Sequence, residues 1–278
     1  MNEKPLKIMY FSPVASDHAH DEIFADMARD NKLPGTEVHV TSLPTSEGNF
    51  SHIEFRSYEA MATRGIIRAA RQAAREGFDA FAIGCFYDTA LHDAREVSGE
   101  MIVTAPCQSS CEIAATLANR FGVIVGRRKW VHQMGATVRE HGHEHRLSGF
   151  YHVELGVTEF QQDHAETERR LVEAGRKAVE EDFAEALILG CTMEVGFNRK
   201  LGRQLGVPVI DPSIAALKRA EYAAILKRQC GLVPSRKWSC EAPPEDEIAS
   251  IGGFDEGEAF GSRMVVAASG ESTIRNAA

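Results

Sequence analysis

Two apolar stretches decide the fold: Phe78-Asp-Ala-Phe-Ala-Ile-Gly-Cys85 and Ala184-Glu-Ala-Leu-Ile-Leu-Gly-Cys191. Each is an almost continuous apolar run of strand length, which is typical of a parallel strand covered by helices on both faces. Aligning residues 81–89 with residues 187–195 places the two cysteines 106 residues apart (191 − 85), about the length of a small α/β domain. The sequence therefore predicts an α/β fold with two pseudo-symmetric lobes, each a mostly parallel sheet flanked by helices.

A helical pattern precedes each of these runs. Residues 57–76 place apolar side chains at helical spacing between charges, and Gly77 follows where a C-terminal cap belongs. Residues 165–182 are typical of a long charged helix, and Asp211-Pro212 has the N-cap acid and first-turn proline of a last helix. Further strands are predicted at residues 7–11, 36–42, 121–126 and 207–210.

The repeat predicts the domain boundaries. Lobe one comprises residues 1–104 and 207–230, and lobe two comprises residues 105–206. Residues 231–278 contain several prolines and glycines without sustained periodicity, which predicts an arm over a neighbouring subunit or a partly disordered tail. Within it, residues 265–269 would add one edge strand.

Composition and charge narrow the class of protein. The chain has 31 Lys and Arg against 40 Asp and Glu, so it lacks the positive field that nucleic acids and anionic membranes require of a partner. The apolar run at residues 8–11 is too short for a signal peptide or a membrane span. Six scattered cysteines do not form a secreted disulfide framework or a paired zinc motif. We expect a cytoplasmic protein with reduced thiols, no nucleic-acid or membrane partner, and a homo-oligomeric state.

The position of the two cysteines suggests chemistry. Ligands of parallel sheets bind outside the carboxyl ends of strands, so Cys85 and Cys191 would face a shared cleft between the lobes. Backbone amides of the following turn would stabilise a thiolate there. Two such thiols suggest an acid and a base on opposite faces of a planar intermediate. The competing interpretation is simple core packing, which gives no reason for the matched pair.

The same residues resemble the aspartate/glutamate/hydantoin racemase superfamily, most of all its hydantoin and allantoin racemase branch. The resemblance covers about residues 6–228 and rests on GCF-x-D-x-x-L-x-x-A-R-E (84–96), LILGCTM (187–193) and GVPVID (206–211). It implies cofactor-independent epimerisation of a carbon next to a carbonyl, without a metal. By this resemblance, Cys85 and Cys191 are the acid/base pair, and the substrate is a 5-substituted hydantoin, an allantoin-like ureide or an amino-acid derivative.

The resemblance also implies which residues contact this small-molecule substrate. They are Ser12, Pro13, Phe86, Tyr87, Gln108, Ser109, Thr192 and Met193. Three stretches depart from the family pattern: Ser12-Pro13-Val14 replaces an Asn-Pro-Asn-Thr-like loop, residues 105–109 replace Gly-x-Gly-Glu-Ala, and Pro212 replaces a glycine. Because they touch the expected substrate pocket and leave the cysteines in place, the reaction type is better indicated than the substrate.

Three other motifs have competing interpretations. His141, His143 and His145 would share one face of a strand and bind a metal, but their polar, glycine-flanked setting favours a solvated loop. Ser109 and Glu112 have capping-box spacing, so a helix is expected to begin there; Cys107 would precede it, which favours packing over a redox pair with Cys111. The run Arg127-Arg-Lys129 would hold an anion or form a solvated face, and the second is favoured.

Alternative functions stay open at this point. A maleate-type cis–trans isomerase also uses two cysteines, whereas an arylmalonate-type decarboxylase needs only one proton-donating cysteine. A non-catalytic ligand-binding or thiol-redox relative would keep the fold without turnover. The last interpretation predicts that at least one of Cys85 and Cys191 is alkylated slowly.

Overall fold

The runs that end in Gly-Cys form buried strands in two separate sheets of the computed structural model, which describes residues 4–15, 18–269 and 272–275. The strands are β1 (Leu6–Ser12), β2 (Thr36–Ser42), β3 (Ala80–Ile83), β4 (Ile102–Thr104), β5 (Phe121–Val125), β6 (Leu147–His152), β7 (Ala186–Leu189), β8 (Val209–Ile210), β9 (Arg263–Val266) and β10 (Ser272–Arg275). The helices are α1 (His18–Asn31), α2 (Arg56–Arg75), α3 (Leu91–Val97), α4 (Pro106–Leu117), α5 (Val131–Glu140), α6 (His164–Glu180), α7 (Asn198–Leu205), α8 (Pro212–Cys230) and α9 (Glu245–Ile251).

The first sheet has the strand order β10-β9-β2-β1-β3-β4. Strands β2, β1, β3 and β4 are parallel to one another, and β9 pairs antiparallel with β2. Every residue of β3 is buried, as are most residues of β1, because helices connect the parallel strands and cover them. The two central strands therefore bring their carboxyl ends, at Ser12 and Ile83, to one edge of this sheet.

The second sheet has the order β6-β5-β7-β8, and all of its strands are parallel. All four residues of β7 are buried, as the apolar run predicts. The helix before it, α6, begins at the N-cap Asp163, whose carboxylate accepts the amide protons of Ala165 and Glu166. The predicted fold class, parallel α/β with two sheets, is confirmed.

Two units make up the chain, each with its own sheet. The first contains the residues up to Gly84, Thr89–Thr104 and the chain from Leu217 onward; the second contains Cys85–Asp88 and Ala105–Ala216. The sequence interpretation assigned residues 207–230 to the first lobe, but β8 pairs with β7, so residues 207–216 lie in the second unit. Residues 85–88 also join the second unit, because Asp88 bonds to amides of α4.

The C-terminal segment is part of the first unit. The sequence predicted an arm or a partly disordered tail from residue 231, whereas β9 extends the first sheet beside β2. Gly261 N–H donates to Ser42 O at 2.8 Å, and the Phe260 ring lies 6.4 Å from the Phe11 ring. Residues 270, 271 and 276–278 of the predicted tail lie outside the described residues.

Buried arginines of α2 hold this segment in place. Arg71 donates to Asp255 at 2.8 Å and to both carboxylate oxygens of Glu245 at 2.5 and 3.0 Å. Arg68 is 4% exposed; it pairs with the buried carboxylate of Glu47 and donates to backbone carbonyls at 254 and 256. Sequence periodicity does not reveal these long-range contacts, because their partners are more than 170 residues apart on the chain.

Replacing Arg68 with methionine is expected to lower the free energy of unfolding by about 3 kcal/mol, because it leaves the buried Glu47 carboxylate without its closest partner. Urea denaturation measures this loss, and hydrogen exchange is expected to rise in residues 245–262. Arg75→Met is the matched control, since Arg75 pairs with Asp255 from a side chain that is 47% exposed. Equal losses in the two variants would contradict the interpretation that burial makes the Arg68 pair important.

Helix α4 begins earlier than the capping-box spacing predicts. Ala105 is its N-cap and Pro106 its first residue, so Ser109 lies inside the helix and the expected start at the Ser109 capping box is wrong. The physical reason is that proline at the first helical position fixes a helical φ and needs no amide partner. No helix in the described part of the chain combines the length and apolarity needed to cross a bilayer.

Candidate active site

Each candidate cysteine follows a glycine that lies against a neighbouring strand. Gly84 N–H donates to Phe11 O at 2.8 Å, and Gly190 N–H donates to Ile124 O at 2.6 Å. A Cβ atom would lie 3.0 Å from Phe11 O at position 84 and 2.6 Å from Ile124 O at position 190. Packing therefore explains both glycines, because only a residue without a Cβ permits so close an approach. Packing of this kind does not explain why a cysteine follows each.

Cys85 begins a tight turn that is closed by a hydrogen bond from Asp88 N–H to Cys85 O at 3.0 Å. Asp88 has a positive φ of 54°, and its carboxylate is buried. One oxygen accepts Cys107 N–H at 2.7 Å; the other accepts Gln108 N–H and lies 2.8 Å from Nε2 of His141. Asp88 thus fixes the Cys85 turn to the first turn of α4 and to the end of α5.

Asp88→Asn is expected to lower the free energy of unfolding by about 2 kcal/mol, because an amide cannot accept all of the bonds that the buried carboxylate accepts. Asparagine tolerates the positive φ, so the change tests the charge and not the backbone. Thermal unfolding and amide exchange at Cys107 and Gln108 measure the effect. Asp163→Asn is the control, because it makes the same change at an exposed cap of α6, where one amide oxygen can still accept both backbone bonds; an equal loss there would contradict the argument.

Cys191 begins the second tight turn, residues Thr192–Glu194, and is 8% exposed. Its thiol accepts the backbone amide proton of Glu194, and the Glu194 carboxyl accepts Cys191 N–H at 3.0 Å, a reciprocal capping box. The same Glu194 nitrogen lies 3.0 Å from Cys191 O, as in the Cys85 turn, so the carbonyl and the sulfur share this amide proton. An amide proton directed at the sulfur stabilises a thiolate.

Two buried acids lie beside the Cys191 turn. Burial raises the pKa of Glu194 well above its usual range and Asp211 raises it further, although backbone amides oppose the shift. Burial also raises the pKa of Asp211, to about 6. Asp211 is the predicted N-cap of α8: it accepts Ser213 N–H at 2.9 Å and Gly196 N–H at 3.1 Å, which links α8 to the loop after Cys191.

The predicted substrate-contacting residues fall into two groups. Phe86, Tyr87, Gln108, Ser109, Thr192 and Met193 lie in the second unit with both cysteines, and Ser12 and Pro13 lie in the first unit. Cys85 and Gln108 are half-buried, whereas Ser109 is buried within α4. The Ser12 hydroxyl is buried and has no hydrogen-bond partner among the residues that the structure describes. Their contact with a substrate stays a prediction.

The remaining motifs differ in burial and in their contacts. The sequence predicted that His141 lies in a solvated loop, and this is wrong. The His141 side chain packs against Asp88 and is 6% exposed. Within residues 4–15, 18–269 and 272–275, no cluster of three His, Cys, Asp or Glu side chains is arranged to hold a metal ion. Cys107 and Cys111 are buried one turn apart on α4, and burial raises the pKa of the Cys107 thiol, as the packing interpretation requires. Arg128 and Lys129 are exposed.

Sequence reasoning missed the structural role of Asp88, His141 and Glu194. A signal for two of them was present in the repeat: the alignment of residues 81–89 with residues 187–195 matches Asp88 to Glu194, an acid three residues after each cysteine. No comparable signal identifies His141, because its contact with Asp88 joins residues 53 positions apart.

Comparisons with known proteins agree with this geometry. A model of the family described as Asp/Glu/Hydantoin racemase matches residues 8–220. A hydantoin racemase from Paenarthrobacter aurescens is 34% identical over 246 residues, 87% of this chain and 99% of the relative; one from Pseudomonas sp. (strain NS671) is 34% identical over 65% of this chain and 72% of the relative. The solved structure of allantoin racemase from Klebsiella pneumoniae superposes with a TM-score of 0.79 at 25% identity, covering 86% of this chain and 94% of that one.

These matches identify a parallel α/β isomerase, with a Gly-Cys turn after a buried strand in each half of its sequence. The chain belongs to the Asp/Glu/hydantoin racemase family, and it is a racemase of this superfamily. The resemblance stated from the Gly-Cys motifs is confirmed, and so is the prediction that the chain is an isomerase. Members of this family act on small molecules.

Proposed function

We propose that this racemase inverts C5 of a 5-substituted hydantoin or an allantoin-like ureide, with Cys85 and Cys191 as the two proton-transferring groups. The observation that carries the proposal is the matched pair of Gly-Cys turns, each closed by a 3.0 Å bond from the amide three residues on. Core packing requires the glycines but supplies no reason for a thiol at both positions. Relatives named hydantoin racemase support the choice of substrate class.

The reaction needs one proton removed and one returned. The thiolate of one cysteine takes the C5 proton, and the bonding electron pair moves into the ring as an enolate. The thiol of the other cysteine then donates its proton to the opposite face of C5, so the configuration inverts and the two thiols exchange roles. A hydantoin suits thiol bases because its ring carbonyl spreads the enolate charge, which leaves less charge for the protein to stabilise.

Backbone amides and polar side chains near the two turns would stabilise that enolate. We propose this role for Thr192, Met193, Phe86 and Tyr87, with Ser12, Pro13, Gln108 and Ser109 contacting the rest of the substrate. The proposed reaction moves only protons between the substrate and the two thiols, so it requires no cofactor. A cleft between the lobes, a homo-oligomer and a cytoplasmic location stay predictions.

Proton NMR in D₂O tests the substrate class. Single enantiomers of hydantoins, allantoin, aspartate and glutamate are incubated with the protein, and the α-proton signal and the optical rotation are followed together. We expect both to disappear with a hydantoin or allantoin, faster than in a sample without protein. Exchange with aspartate or glutamate alone would overturn the substrate assignment. No exchange with any of them would overturn the proposed function and leave maleate and arylmalonates as the next compounds to test.

A further inference from the structure

The two cysteine turns share one feature that the reaction does not use. Asp88 and Glu194 each lie three residues after a cysteine, each donates its amide proton to that cysteine's carbonyl, and each has a buried side chain. The two turns therefore share the same backbone hydrogen bond, and each ends in a buried acid. Their carboxyl groups, however, lie in opposite electrostatic environments.

The Asp88 carboxylate is surrounded by donors. Two backbone amides at the start of α4 and the imidazole of His141 lie within 2.8 Å of its oxygens. Such contacts compensate the negative charge of a buried carboxylate. Each oxygen of the Asp88 carboxylate therefore has a hydrogen-bond partner.

The compensation at Glu194 is weaker and comes from the backbone amides of Gly190 and Cys191. Glu194 is fully buried, and its Oε2 accepts Cys191 N–H at 3.0 Å. In the part of the chain that the structure describes, Oε1 has no hydrogen-bond partner. Among the residues that the structure describes, the Cys191 thiol in the same turn and Asp211 at the start of α8 are ionisable neighbours of this side chain. Both become anionic when they ionise, so the surroundings of this buried side chain favour a neutral Glu194.

We propose that Glu194 is a positioning residue that remains protonated, so that Cys191 bears the single negative charge of its turn when it acts as a base. This inference rests on the proposed role of Cys191. The thiol accepts the amide proton of Glu194, and the neutral carboxyl holds the Cys191 amide in return. A carboxylate at this position would repel the thiolate within the same buried turn. The proton on Glu194 stays in place through the reaction, and only the cysteines exchange protons with the substrate.

The direction in which the pKa of Glu194 shifts agrees with a protonated side chain. Burial raises the pKa of Glu194 well above its usual range, and Asp211 acts in the same direction. Since the pKa of Asp211 is raised to about 6, this second acid is largely ionised at neutral pH and disfavours a further carboxylate beside it. With Glu194 neutral, the Cys191 thiol is the group of this turn that becomes anionic.

Alkylation of Cys191 by iodoacetamide, followed by peptide mass spectrometry at neutral pH, tests the proposal without any need for turnover. Glutamine has the size of a protonated glutamic acid and no charge, so Glu194→Gln is expected to alkylate within about threefold of the wild-type rate and to keep the wild-type pH profile. If Glu194 is instead ionised, removing its charge would lower the pKa of Cys191 and raise the alkylation rate about tenfold or more, which would overturn the proposal.

Two further variants separate positioning from a purely structural role. Glu194→Met removes the acceptor of the Cys191 amide, so we expect kcat to fall about tenfold with little change in KM, and Glu194→Gln to restore it. Glu185→Met is the matched control for Glu194→Met: the Glu185 carboxylate also accepts backbone amides, at the other end of β7, but it is exposed. Equal effects at both positions would overturn the proposal.

The infrared spectrum of the wild type covers the case in which the variants do not fold. A protonated carboxylic acid has a C=O stretching band that carboxylates lack, and we expect this band to persist at neutral pH. Its absence would overturn the proposal. If the wild-type protein racemises none of the compounds tested, the proposed function fails, whereas the alkylation rates and the infrared band still report on Glu194.

Discussion

Cys85→Ser and Cys191→Ser are each expected to lower the rate of racemisation by about 10³-fold, the size of contribution that one acid/base group makes. Serine nearly preserves the shape of the side chain but does not ionise at neutral pH, so neither variant can complete both proton transfers. Polarimetry with a single enantiomer of a 5-substituted hydantoin measures the loss. We expect the thermal unfolding midpoint of both variants to stay close to the wild-type value, because each change replaces one sulfur atom with oxygen.

Cys230→Ser is the control for this pair. Cys230 is exposed at the end of α8, so its replacement is expected to leave the rate unchanged. Wild-type activity in either the Cys85 or the Cys191 variant would contradict the two-thiol reaction. Loss in one variant alone would reduce the mechanism to a single thiol, as expected for a decarboxylase-type relative.

Gly190→Ala is expected to have the second-largest effect. Its Cβ would lie 2.6 Å from Ile124 O and 2.8 Å from a methyl group of Val125, and a backbone carbonyl within a sheet cannot move aside. Strain of this kind costs about 3 kcal/mol of stability, and relief by shifting the end of β7 would displace Cys191. We therefore expect a lower urea midpoint together with an activity loss of about 10²-fold.

The glycines elsewhere provide matched comparisons. Gly84→Ala is expected to cost less than Gly190→Ala, because its closest backbone contact is 3.0 Å and its other close contacts are to the side chain of Tyr10. Gly135→Ala in α5 meets nothing closer than 3.5 Å and is expected to be neutral or stabilising, since alanine favours helices. A Gly190→Ala variant with wild-type stability would show that the close approach to Ile124 is not required.

Sequence patterns predicted the central elements of both units. The apolar runs before Cys85 and Cys191 became β3 and β7, and the helical periodicity at 57–76 became α2 within one residue at each end. These elements are predictable because a strand buried on both faces and an amphipathic helix each have a recognisable local pattern of apolar residues. Strand β6 has no such pattern, because Gly149 interrupts it and most of its residues are half-buried.

The structure also revealed contacts that are not local in sequence. The arginines of α2 bind partners near the C-terminus, and Asp88 binds His141, so no window of the sequence contains both partners. The two cysteines were predicted from their position after a strand. The roles of Asp88 and Glu194 could be inferred only from their burial and hydrogen bonds in the structure. The placement of the thiols was therefore predictable, but the electrostatic difference between the turns was not.

The isotope content of each enantiomer early in a reaction in D₂O tests the central claim, proton transfer by two cysteines. Each thiol exchanges its proton with solvent, so the account predicts deuterium at C5 of the newly formed enantiomer and hydrogen in the remaining starting enantiomer. Chiral separation and mass spectrometry distinguish the two after subtraction of a sample without protein. Deuterium entering both enantiomers at equal rates from the start would show that one group serves both faces, and would contradict the account.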